Sequence, residues 1–330
     1  MMGRKRRKDA PLIKNIAEHK EWQKKDRTRT SLTLLQNQEK IRQNTKFYYD
    51  PEKDKKDIEH YYKNVIGKEI KGLNLFYHYH NLVKKTHKNQ LPYFICKDHY
   101  LYTWVDLQPD GTVKSIYSGE KSDPSRIIQE DFEIIQKRYE QFQALLEIVS
   151  KKDISLLKKM KSIDLRLKYN TEHIVPQSWF HAREPMKSDL HHLFVCHPEC
   201  NVKRSNYPFH DFSFYQPESP KEKIRNRCGV VKDGRFEPEH GKGTVARAMM
   251  YFLLRYPNEI KKSSLKQINL SLLIHWHESF PVSIYEKHRN QSIYYIQGNR
   301  NPFIDFQELA YKIKFPFHIG SCGGLGIVKS

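Results

Sequence analysis

Between Tyr169 and Asn206 the chain reads YNTEHIVPQSWF, then DLHHLF, then CHPECNVKRSN. Acid, imidazole, amide and guanidinium groups thus fall within one short stretch, and they are the groups that phosphodiester hydrolysis requires. A base must activate water, a cation must take up charge in the transition state, and donors must hold the strand. Histidine suits the base because its pKa lies near neutrality. Asp, Glu and Asn supply the oxygen donors that a hard divalent cation such as Mg²⁺ prefers.

Glu172 and His173 sit side by side on a predicted strand that Pro176 ends. Neighbouring residues of a regular strand point to opposite faces, so the pair can serve one ligand only near a strand end. Pro198 opens a predicted short helix on which Asn201 and Arg204, three apart, share a face. One of them could bind metal while the other grips a phosphate. Asp189, His191 and Glu237 are expected to support the site from behind; His191 and His192 read as packing groups more readily than as ligands. Arg225 and Arg227 read as surface charges that steer a strand. Trp104 and Trp179 could stack on bases, although core packing is the preferred reading. Five cysteines, odd in number and sparse for 330 residues, do not describe a disulfide framework. A structural zinc at Cys196 and Cys200 is disfavoured: their spacing is looser than that of a zinc ribbon, and only Cys228 lies nearby.

The elements that must position these residues are mostly helical. Asp50-Pro51 opens a helix to about Ile66, and a second runs from Ile70 to about Lys85. Tyr100–Val105 reads as a strand, turned by Pro109-Asp110-Gly111 into a partner at Val113–Tyr117. Asp123-Pro124 starts a long helix with one apolar stripe, and Thr244 caps VARAMMYFLLRY, apolar nearly all round. Further helices are expected at Leu272–His277 and Glu286–Gln297. Residues 1–46 hold 14 Lys/Arg against 5 Asp/Glu and read as a mobile basic arm, residues 47–315 as one domain, and residues 316–330 as a loose tail. The net charge of +20 predicts a field that gathers polyanions, nucleic acid first. No run of about 18 apolar residues predicts a membrane span. A conventional secretory leader is not visible, which reads as cytoplasmic.

The stretches Glu172–Trp179, Asp189–Leu193 and Asn201–Asn206 together resemble the bacterial endonuclease I family. The resemblance extends to Thr86-His87, Leu101–Asp106, Ile116–Gly119, Lys242–Ala248 and Gln297–Asp305, and covers about residues 47–315. It looks most like the extracellular ribonuclease-like branch of Gram-positive bacteria. The resemblance implies an α+β domain built around a His-Me finger, or ββα-metal, motif with several surrounding helices. It implies a metal-dependent endonuclease acting on DNA and RNA with little sequence preference, leaving 5′-phosphate and 3′-hydroxyl ends. His173 then matches the general base, and Glu172 and Asn201 match the ligands of one divalent cation, Mg²⁺ with Ca²⁺ or Mn²⁺ as alternatives. Arg204, Arg247 and Arg300 match recurrent basic positions and are assigned contacts to phosphate or the transition state. A monomer is expected. Members of the family are mostly secreted or periplasmic, at odds with the cytoplasmic reading. The rival readings are a target-specific HNH-type endonuclease and a nucleic-acid-binding protein without catalysis.

Overall fold

The structure, a computed structural model, describes residues 9–67, 70–148, 169–215 and 227–316, with the backbone alone at 9–25, 138–139 and 141–148. The longer elements begin with helices α1 (Asp9–Gln43), α2 (Pro51–Tyr62) and α3 (Gly72–Thr86). A π-helix at Cys96–Val105 leads to the antiparallel pair β1 (Val113–Lys114) and β2 (Lys121–Ser122), then to α4 (Pro124–Ile148). Next come β3 (Thr171–His173), β4 (Leu193–Val195) and α5 (Pro198–Arg204), followed by the hairpin β5 (Val230–Lys232) and β6 (Arg235–Glu237). Helices α6 (Lys242–Arg255), α7 (Leu270–Ser279) and α8 (Ile284–Gln297) complete the set. The architecture is α+β: helices surround three separate two-stranded antiparallel sheets among the described residues. Among those residues no helix is long and apolar enough to cross a membrane.

Local chemistry explains most element ends. Asp50 accepts from the N–H groups of Glu52 and Lys53, with Pro51 in the first turn of α2. Ser283 and Glu286 form a reciprocal capping box at the start of α8. Gly298 ends α8 at φ 92°, where a Cβ would also meet the Thr86 carbonyl at 2.5 Å. Helix α6 starts at Gly241, three residues before the expected Thr244 cap, and buries every residue except Thr244. A helix apolar nearly all round belongs in the middle of a domain, and α6 packs there against α7.

Two expectations are corrected. Residues 96–105 form a π-helix, not a strand. In such a helix residues five apart line up, as Asp106 N bonding to Leu101 O illustrates. Lys97 and Tyr102, five apart, accordingly reach the same buried Asp131 carboxylate at 2.8 and 2.5 Å. The turn at 109–111 does reverse the chain, but it brings Val113 only to an isolated bridge with Leu107, and β1 pairs with β2. The mobile arm is likewise corrected for its described side chains. Leu34 and Ile41 of α1 are buried, Asn37 donates to Thr103 O at 2.9 Å, and Asp26 lies 2.9 Å from His99. Leu34 and Ile41 face inward where α1 packs on the π-helix, and Arg27, Arg29, Lys40 and Arg42 are exposed. The cluster Arg4–Lys8 and the tail beyond residue 316 lie outside the described residues.

Arg247 and Arg300 are also corrected. Both are buried, and both make charge-assisted bonds to protein carboxylates, with Arg300 Nη1 left without a partner. Arg247 holds Glu286 through two bonds of 2.6 and 3.0 Å and donates to the Phe280 carbonyl. Arg300 binds Asp305 through two bonds of 2.8 Å and Asp54 at 2.8 Å. These forks tie α8 to α6 and the segment after α8 to α2, so in this structure carboxylates occupy both guanidinium groups, where contacts to phosphate were expected. Replacing Arg300 by alanine strands two buried carboxylates and should cost about 3–5 kcal/mol. A urea unfolding curve checks this; an unchanged midpoint would return Arg300 to the pool of surface-acting cations.

Candidate active site

β3 and β4 pair with Thr171 opposite Val195, Glu172 opposite Phe194 and His173 opposite Leu193, and α5 follows β4 directly. Val195 turns its carbonyl to Ile116 N and its N–H to Asp106, away from β3. In an antiparallel pair its partner Thr171 must then turn its own carbonyl to the outer edge of β3. There Asn201 Nδ2 donates to it at 2.6 Å. A carbonyl only accepts, so this bond fixes the amide and leaves Asn201 Oδ1 pointing away from the strand as a donor atom.

Glu172 faces α5. Its Oε1 accepts from the Tyr117 hydroxyl at 2.8 Å and lies 3.1 Å from Arg204 Nη1. Arg204 donates through Nη2 to Ile174 O at 2.7 Å, and its guanidinium sits 4.9 Å from the Phe209 ring centroid. Buried and held in this way, Arg204 positions the Glu172 carboxylate, a different role from the phosphate contact assigned to it above. Asn201 and Arg204 both turn to β3, as their three-residue spacing demands.

His173 projects from the opposite face of the strand, since β3 is regular through this position. Its ring lies beside Tyr93 and His192, with centroids 5.4 and 5.5 Å away. Nε2 lies 2.8 Å from the Lys187 carbonyl, which fixes the proton on Nε2 and leaves the lone pair on Nδ1. The half-buried Gln177 amide approaches that lone pair at 3.1 Å and marks the direction from which it can be reached. Burial, with His192 alongside, pushes the His173 pKa down to about 3, so the imidazole is neutral at ordinary pH and its lone pair is unprotonated. The structure thus gathers Glu172, Asn201 and Arg204 on one side of β3 and places His173 on the other; His173 is the last residue of β3, so the two sides can meet one ligand only around that strand end.

The donor set fits a hard divalent cation. Glu172 carboxylate and Asn201 Oδ1 are oxygen donors on adjoining strand and helix positions, and a cation such as Mg²⁺ takes few protein ligands and keeps several waters. Cys200 offers no zinc ligand, because its sulfur is bonded to Cys228. The bridge runs against the expectation that the sparse cysteines form no disulfide framework; Cys196 is a free, buried thiol. The bridge anchors α5, one residue before Asn201, to the start of the β5–β6 hairpin.

The supporting residues are scaffold. Asp189 accepts from Tyr251 at 2.7 Å, Tyr256 at 2.9 Å, Gln297 at 3.1 Å and its own turn at His191 N. Burial raises its pKa, yet the surrounding imidazoles and donated bonds hold it well below the usual carboxylate range. His191 Nε2 lies 3.2 Å from Asn299 O, and burial pushes its pKa down to about 4. Glu237 takes Lys242 at 2.7 Å and the Phe212 N–H, and burial pushes it up to about 7. Arg227 is exposed and bridges Glu120 at 2.9 Å and Glu199 at 2.7 Å. Arg225 lies outside the described residues. Tyr117 and Gln177 were not singled out in the sequence, although Gln177 follows His173 at a spacing of four within the same motif.

A short antiparallel ribbon and a helix thus present acid, amide and imidazole groups in one region of the chain. The family model described as Endonuclease I matches residues 77–308, and the chain belongs to the endonuclease I family. It is 32% identical over 162 residues to an extracellular ribonuclease of Bacillus amyloliquefaciens, covering 44% of this chain and 53% of the relative. To an extracellular deoxyribonuclease of Aeromonas hydrophila it is 32% identical over 127 residues, 37% of this chain and 51% of the relative. To Endonuclease-1 of Buchnera aphidicola subsp. Baizongia pistaciae it is 27% identical over 125 residues, 37% and 47% of the two chains. The chain spans about half the length of the curated relatives it matches.

Two measurements probe this frame. The Cys200–Cys228 bridge spans 28 residues, which chain entropy values at about 3–4 kcal/mol. Cys200→Ser with Cys228→Ser should lower the urea midpoint accordingly, and a parental midpoint would contradict the bridge. Burial also pushes His240 down to about 4, as it does His191. Unfolded, both titrate near about 6.5, so the unfolded chain binds more protons between the two values. Their stabilisation is complete above about pH 6.5 and is lost as pH falls toward about 4. Glu237, pushed up to about 7, acts in the opposite sense, so the check is a difference: the loss of urea midpoint on acidification should shrink in His240→Gln, and an unchanged or larger loss would refute that sign.

Proposed function

We propose that the chain is a divalent-cation-dependent endonuclease of the His-Me finger type. It hydrolyses DNA or RNA phosphodiester bonds with little sequence preference and leaves 5′-phosphate and 3′-hydroxyl ends. The observation that carries this reading is the fixing of Asn201 against Thr171, one peptide from Glu172, on a strand whose next residue is a neutral histidine with a directed lone pair. Names of relatives on both sides of the DNA/RNA divide support an open sugar preference. The disulfide suits an oxidising compartment, in line with the extracellular relatives and against the cytoplasmic reading.

In this mechanism the strand is held by phosphate contacts along the outer edge of β3. His173 Nδ1 takes a proton from the attacking water as the new P–O bond forms and the bond to O3′ breaks. The Lys187 carbonyl keeps Nε2–H in place throughout, so the ring cannot adopt the other tautomer. Glu172 and Asn201 would hold the cation, which neutralises charge building on the phosphate and the leaving oxygen. Arg204 and Tyr117 keep the Glu172 carboxylate oriented for that task.

His173→Ala should lower turnover by about 10²–10⁴-fold while nucleic-acid affinity stays near parental. Cleavage of supercoiled DNA and of RNA, with end-group analysis, checks this; parental turnover would sink the assignment. Asn201→Ala should shift the Mg²⁺ titration to higher concentration and recover activity at saturation. An unchanged titration removes Asn201 from the metal set.

A further inference from the structure

Away from β3, a cleft of about 480 Å³ lies between α1, the helical turn Thr45–Tyr48, the π-helix and α8. Phe47, Tyr100, Trp104 and Tyr295 line it, and Lys46 and Lys53 stand at its rim. Phe47 is 39% exposed and Tyr295 51%, so large aromatic faces open to water where a closed core would cover them. Phe47 and Trp104 lie 5.0 Å apart between centroids. Lys40 stands 5.1 Å from the Phe47 ring centroid and Lys53 4.7 Å from that of Tyr295. Among the described residues none of Lys40, Lys46 and Lys53 is ion-paired. Of the nearby acids, Asp50 caps α2, Asp57 accepts from Tyr295 and Gln291, and Asp26 pairs with His99. The rim thus presents exposed lysines beside acids held by their own partners, and the floor is aromatic.

We propose that this cleft binds a single-stranded segment of nucleic acid, its bases against the aromatic rings and its phosphates along the lysines. The proposal rests on the nuclease reading above. Bases in a duplex are stacked on each other and cannot enter such a cleft, whereas an unpaired strand offers both bases and backbone. The wall made by Phe47, Lys46 and Lys53 precedes residue 77, outside the span matched by the family model. One wall of the cleft thus lies outside that span, whereas Tyr100, Trp104 and Tyr295 lie within it. The π-helix links the two sites: Trp104 lies at its far end, and Tyr93, just before it, touches the His173 ring. A strand held in the cleft is kept near the β3 edge, which raises its effective concentration there.

The test uses the full chain carrying His173→Ala, so that a short oligothymidylate is bound and left uncut. Binding should quench emission from Trp104, and the quench should vanish in Trp104→Phe. Adding Phe47→Ala with Tyr295→Ala should weaken single-strand affinity by roughly 5- to 150-fold, the worth of one stacked base, and leave duplex affinity unchanged. The exposed pair Lys46→Glu with Lys53→Glu should do the same without touching the core. Single-strand affinity unaltered by both sets, or an equal loss for duplex, overturns the proposal. Cleavage by the chain with His173 intact is scored separately. Inactivity there, with cleft-dependent binding retained, would sink the nuclease reading and keep this one. Normal cleavage with cleft-independent binding would do the reverse.

Discussion

A two-stranded ribbon of three residues per strand cannot hold itself in water, and β3–β4 is such a ribbon. Everything around it supplies the missing constraint through buried side chains that bond to its backbone. Asp106, at the end of the π-helix, accepts from Val195 N at 2.6 Å and pairs with Arg289 of α8. Arg289 donates in turn to Leu190 O and Leu193 O at 2.7 and 3.0 Å. On the other strand Asp131 of α4 accepts from Asn170 N at 2.9 Å, and Tyr93 meets Thr171 Oγ1 at 2.8 Å. Desolvated, charge-assisted bonds of this kind are short and directional, so each strand is fixed from a different element.

The same logic explains why so many charged groups are buried in a basic protein. Asp189, Asp131, Glu286 and Asp305 each collect donors from segments distant in sequence. Each carboxylate would be costly alone and becomes tolerable because its donors are preplaced. The result is a rigid support for the ribbon, with the residues proposed to react standing on a frame that does not itself react.

How much of this was legible in the sequence follows from how local each cause is. Helix ends at Asp50-Pro51 and Gly298 depend on neighbours within a turn, and the spacing of Asn201 and Arg204 already put them on one face. The ribbon-and-helix unit was readable from Glu172-His173, Pro176 and Pro198. The π-helix was not, because YLYTWV alternates as a strand would; its geometry is set by Asp131, 29 residues beyond Tyr102. Arg247 and Arg300 look like phosphate-binding arginines until Glu286 and Asp54 are seen beside them, 39 and 246 residues away. The Cys200–Cys228 bridge was hidden for the same reason. Burial and partners are tertiary facts, and a single sequence does not carry them.

Arg204 has a consequence for the order in which a site of this kind fills. Its guanidinium and the Glu172 carboxylate, 3.1 Å apart and buried, leave the Glu172 side of the ribbon, where a cation is proposed, close to neutral. A divalent cation entering a neutral, water-poor place meets a large desolvation cost with only one carboxylate to offset it. A phosphate diester arriving with it reduces the net charge to be accommodated. On the proposed reading, cation and strand therefore assist each other's binding. Had Arg204 been a solvent-facing phosphate clamp, Glu172 would hold a cation more tightly on its own and this mutual dependence would be weaker.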